Sequence, residues 1–122
     1  MKRLLVLGLT LASTALWGMD MEGRFSTQGA RSCGQYVEAA RDKKISLGYA
    51  ATEAWVAGYI TAYNSETRDT YDILGASDLK SAMLWLENWC NSNPLRNMGD
   101  AMQSLTAELH PRRHRSAKDA RR

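Results

Sequence analysis

Cys33 and Cys90 are the only thiols of the chain, and His110 and His114 its only histidines. The two cysteines lie too far apart for a CxxC redox motif, and two thiols without a matching histidine pair make a poor zinc site, because a closed structural site wants four ligands. His110 and His114 have the i, i+4 spacing of metal ligands on a helix, but Pro111 lies between them and no third ligand is obvious. The carboxylate pairs Glu66/Asp69 and Asp69/Asp72 fall in a polar stretch where solvent leaves them ordinary acids. No GxSxG elbow, HExxH, phosphate-binding loop or dinucleotide fingerprint occurs. The expectation is a protein with no catalytic residues, no metal and no cofactor, and not an enzyme. An enzyme of unrecognised type, with polar groups converging around Glu66 to Asp72, is the third reading.

The aromatic residues are more informative. Trp55, Tyr59 and Tyr63 follow one another at i, i+4 and i+8, and Trp85 and Trp89 form a second i, i+4 pair. Residues at this spacing share one face of a helix, and most such faces are core. The functional alternative is that part of this surface, with Trp85 and Tyr63 as its centre, lines a groove or an oligomer contact that recognises another protein.

The elements that must position these side chains follow from a chain of 122 residues, 44% hydrophobic, with 9 Gly and 2 Pro. That is one small domain, neither collagen-like nor wholly disordered. Met1-Lys2-Arg3, an apolar run from Leu4 to Leu16 and small residues after it have the outline of a secretory signal peptide over residues 1–18, too short for a membrane anchor. The cut falls after Ala15 or near Gly18. Export to an oxidising compartment makes the even cysteine pair a single intramolecular disulfide, Cys33 to Cys90.

Residues 19–31, with Gly23, Ser26, Thr27, Gln28 and Gly29, read as a flexible leader. Ser32 with Gln35 forms the sequence of a capping box, opening a helix with Cys33, Tyr36, Val37 and Ala40 on one face. A second helix spans about Ser46 to Asn64, its stripe made of Ala51, Trp55, Gly58, Tyr59 and Ala62 and widened by Val56, Ile60 and Tyr63, which implies burial on more than one side, and Gly58 predicts close approach of another helix. Ser77 is placed to cap a third helix carrying Leu79, Ala82, Met83, Leu86, Trp89 and Cys90. Asn93-Pro94 ends it and restarts a fourth, with Asn93 as cap and Leu95, Met98, Ala101, Met102, Leu105 and Leu109 on its apolar face. Four helical patterns and no alternation of the strand type predict an all-α fold, a small bundle of about four helices stapled by one disulfide.

Charge is unevenly distributed. Six basic residues against Asp119 give residues 110–122 a charge of +5, whereas eight basic and twelve acidic residues leave 19–109 at −4. The basic segment reads as a disordered, solvated tail; the sharper alternative is a binder of nucleic acid, anionic lipid or an acidic protein. Nucleic acid is not expected as a partner of an exported protein.

Three stretches carry a family resemblance: Cys33-Gly34-Gln35-Tyr36-Val37, then Trp55-Val56-Ala57-Gly58-Tyr59-Ile60 with Tyr63-Asn64, then Trp85-Leu86-Glu87-Asn88-Trp89-Cys90-Asn91-Ser92-Asn93-Pro94-Leu95. Over residues 32–109 the chain resembles the small disulfide-bridged helical proteins of the bacterial periplasm grouped around HdeA and the Tai-type (Rap/Tai) immunity proteins. The resemblance implies a periplasmic, cofactor-free protein that binds other proteins. An HdeA-like member is an acid-stress chaperone for unfolded clients; a Tai-type member blocks an amidase toxin delivered by type VI secretion. The aromatic spacing makes Trp55, Tyr59, Tyr63, Trp85 and Trp89 the candidate partner-binding residues; no stable membrane anchor is expected after signal cleavage, and a homodimer is among the assemblies to test.

Overall fold

A computed structural model describes residues 19–42 and 46–122. The signal peptide expected over 1–18 lies outside the described residues. Helix α1, Cys33–Arg41, opens where the capping box predicts it: the Gln35 amide donates to Ser32 Oγ at 3.2 Å and the Ser32 amide to Gln35 Oε1 at 3.1 Å. Cys33, Tyr36 and Ala40 are its buried face.

Helix α2, Leu47–Glu66, is capped by Ser46, whose hydroxyl oxygen accepts from the Tyr49 amide at 3.1 Å. Its buried row is Thr52, Val56 and Ile60. Of the predicted stripe, Ala51, Gly58 and Ala62 are exposed, while Trp55 and Tyr59 flank the buried row half-covered. A side chain at Gly58 would meet nothing within 4 Å, so this glycine marks open surface and not a helix crossing. Residue type alone put these small residues in the stripe, but small residues also suit an exposed face, and the neighbours of α2 decide which row is covered.

Helix α3, Leu79–Ser92, is capped one residue later than predicted, by Asp78, which accepts from the Ser81 amide at 2.7 Å. Helix α4, Met98–Leu109, starts well after Pro94, with Asn97 as cap. The reason is nonlocal. The Cys33 amide donates to the Arg96 carbonyl and the Met98 amide to the Arg31 carbonyl, each at 2.9 Å. This bridge, Ser32 opposite Asn97, holds Asn97 extended against the start of α1, so the helix nucleates only beyond it. Leu95, predicted on the apolar face, is 99% exposed.

Among the described residues the fold is all-α, a four-helix bundle without strands, as predicted. Cys33 and Cys90 form the expected disulfide, with Cα atoms 4.9 Å apart, tying the first turn of α1 to the last turns of α3. Around it Tyr36, Val56, Met83, Leu86, Met98, Ala101 and Met102 form the core. Tyr36 crosses it, donating its hydroxyl to the Met83 carbonyl at 2.8 Å and stacking on Tyr49 at 6.2 Å between ring centroids.

Both flanks depart from expectation. Residues 19–26 are exposed, but 27–31 pack as a strap: the Gln28 carbonyl accepts from Trp55 Nε1 at 2.7 Å, and Thr27 presses on Gly99, where an added Cβ would meet it at 3.1 Å. Beyond the 3-10 turn His110–Arg112, the basic segment folds back onto the loop after α2. The His114 carbonyl accepts from the Tyr71 and Asp72 amides at 2.8 and 3.1 Å, and the His114 amide donates to the Asp72 carbonyl at 2.9 Å. Arg113 bonds through Nε to the Asp69 carbonyl and Thr70 Oγ1, both at 3.0 Å, and through a terminal nitrogen to the His110 carbonyl at 2.7 Å. Gly75 makes this return path possible: at φ +59° a Cβ there would sit 2.5 Å from the Arg112 carbonyl oxygen. The tail is thus a clasp.

Candidate protein-binding surface

Helix α2 carries Trp55, Tyr59 and Tyr63, and α3 carries Trp85 and Trp89; all five rings lie half-buried against the core. Their positions follow from the helical period, which sets each set along the margin of a buried row. On α2 the row is nearly continuous, with the Trp55 and Tyr59 rings 5.6 Å apart and tilted by 46°. Burial is the main cause that raises the Tyr59 phenol above its ordinary pKa, followed by the neighbouring Tyr63.

The polar ends of three rings are tied down, two of them to the segments that flank the bundle and one to helix α4. Trp55 reaches the strap through Gln28. Tyr63 Oη lies 3.1 Å from His110 Nδ1, at the root of the clasp. Trp85 Nε1 donates to Glu108 Oε2 at 3.2 Å, and Glu108 in turn pairs with Arg112 at 3.5 Å. All five rings pack against the hydrophobic core, and these three are held at their polar ends as well.

The hollow that Trp85 lines does not include Tyr63. Trp85 lines a hollow of about 140 Å³ between α3 and the end of α4, with Leu74, Ala82, Leu105 and Leu109 at its base, while Tyr63 sits apart against His110. Next to Trp85, Leu84 is 55% exposed. A wider, polar depression of about 380 Å³ lies over the disulfide, bordered by Val37, Glu38, Arg41, Asn91 and Pro94. Sequence reasoning missed it, and the only available signal was the nearness of Pro94 to Cys90. Both cysteines are fully buried beneath it.

The loop carboxylates serve local structure. Asp72 Oδ1 accepts from the Leu74 amide at 3.0 Å, Asp69 pairs with Arg115 at 3.5 Å, and Glu66 accepts from Ser65 at 3.3 Å. His110 is engaged with Tyr63 and the His114 backbone with Asp72. Among the described residues no group of three or more His, Cys, Asp or Glu side chains could hold a metal ion. No described helix is long and apolar enough to cross a membrane.

Two carboxyls are held below their ordinary pKa. The Ser81 backbone hydrogen bond does this for Asp78; for Asp119 the Ser116 side chain does so first, with the Arg115 and Ser116 amides adding to it. Each joint is stronger with the carboxyl ionised. Comparison of the chain with protein-family models, with curated proteins and with solved structures finds no match.

Proposed function

We propose that this is an exported, periplasmic, non-enzymatic protein that binds other proteins, acting as an HdeA-like acid-stress chaperone. The observation that carries the reading is the set of half-buried aromatic rings, two of which, Trp55 and Tyr63, have their polar ends fastened to the strap and to the root of the clasp, so that loosening the flanks frees them without dissolving the core. Acid is the natural release. A carboxyl with a lowered native pKa contributes stability above its ordinary pKa, and that contribution disappears as pH falls through the lowered native value. Asp78 at the start of α3 and Asp119 inside the clasp both have lowered values, so each weakens its joint as acid neutralises it. Residues 19–122 carry +1 at neutral pH; neutralising their thirteen carboxylates takes them to +14, and self-repulsion expands the bundle. The Cys33–Cys90 disulfide limits that expansion.

Light scattering of an aggregating client at about pH 2 to 3, below the ordinary carboxylate range, tests this. Suppressed aggregation together with quenched or red-shifted tryptophan emission supports it. Unchanged aggregation overturns it, and tight capture of a folded amidase at neutral pH assigns the Tai-type immunity role instead.

A further inference from the structure

We propose that the C-terminal clasp is a docking surface for anionic phospholipid membranes. Its geometry separates its six cations into two kinds. Arg113 is spent internally, on three hydrogen bonds that hold the clasp to the loop. Arg112, Arg115, Lys118, Arg121 and Arg122 are all exposed. Arg112 and Arg115 make long, solvent-exposed pairs with Glu108 and Asp69, each 3.5 Å, of a kind that contributes little and leaves the charge available. Among the described residues Lys118, Arg121 and Arg122 form no salt bridge.

The strip is built and not trailing. It is anchored by the Asp72–His114 bridge and admitted by Gly75. The Arg115 and Ser116 amides both donate to Asp119 Oδ2 at 3.1 Å, closing its last turn. A backbone already folded loses less conformational entropy on binding than a free tail would. Tyr71 lies beside the strip, its amide bonded to the His114 carbonyl and its side chain more than half exposed; tyrosine suits the headgroup region of a bilayer. Residues 19–109 are net negative, so attraction to an anionic surface is confined to this strip and orients the molecule. Preference for phospholipid over other polyanions rests on the export reading, since a protein delivered across a membrane meets its headgroups first.

The test is co-sedimentation of the full chain with vesicles of phosphatidylglycerol in phosphatidylcholine, alongside pure phosphatidylcholine vesicles and duplex DNA. The wild type sediments with the anionic vesicles only, and salt releases it. Replacing Lys118, Arg121 and Arg122 by Gln weakens partitioning roughly a hundredfold, while Lys118→Arg leaves it unchanged. Thermal unfolding of the triple variant stays near wild type at neutral pH, since among the described residues the three side chains make no salt bridge or hydrogen bond and the one electrostatic link, Arg122 to Asp119, is solvent-exposed. Equal binding by wild type and triple variant, binding to neutral vesicles to the same extent, failure to bind, or preference for DNA each overturns the proposal.

Discussion

Tyr36 shows how much one side chain carries in a core this small. Its ring is fully buried between α1 and α3, and its hydroxyl is satisfied by the Met83 carbonyl. Tyr36→Phe keeps the packing and removes the bond, so urea denaturation is expected to show a loss of about 1 kcal/mol. Burial, more than the nearby Tyr49 and Glu87, raises the phenol well above its ordinary value of 10.0. The neutral form is thus the native one: its stabilisation is complete below that ordinary value and is lost as pH rises beyond it. Wild type should therefore lose stability in alkali more steeply than Tyr36→Phe. At Gly75 the constraint is backbone. Gly75→Ala places a methyl against the Arg112 carbonyl in a left-handed conformation, at a cost of about 1 to 3 kcal/mol, and limited trypsin digestion should then cut the freed basic segment first.

At the scale of elements, the four helices are started by side-chain caps, and one of these caps titrates. Asp78 accepts from the Ser81 amide as a carboxylate, whereas asparagine caps equally well without a charge. Asp78→Asn is expected to leave neutral-pH stability near wild type and to flatten the acid limb, because the ionised cap no longer has to be neutralised. Circular dichroism through an acid titration reads this directly. How far such elements could be read from sequence depended on how local their determinants are. Ser32 and Gln35 define the start of α1 between themselves. Asn93 and Asn97 are both adequate caps, and the choice between them is made by Arg31 and Cys33, more than sixty positions away.

For the molecule as a whole, the disulfide and the two flanking segments set the order in which it opens. The Cys33–Cys90 crosslink spans 57 residues and encloses α2 and the loop the clasp rests on. In the chain-entropy account a loop of this size stabilises by about 4 kcal/mol, comparable to the entire stability of a small domain. Replacing both cysteines by alanine should lower the urea midpoint by a large fraction of its value. If the acid-release proposal holds, the same variant should unfold fully at low pH, where the crosslinked protein keeps its helices.

The helical period, the capping box and the two thiols were sufficient, read along the chain, to determine an all-α bundle, four helices in order, their approximate extents and the disulfide. Each of these depends on residues within a few positions of one another or, for the thiols, on having no other partner. Only the tertiary structure decided which row of α2 is covered, where α4 begins, and that the strap and clasp pack down. Those outcomes depend on contacts between distant segments: Gln28 with Trp55, Arg31 with Met98, Asp72 with His114, Gly75 with Arg112. A basic tail and an acidic loop forty residues apart look equally soluble in isolation, and the fold brings them together.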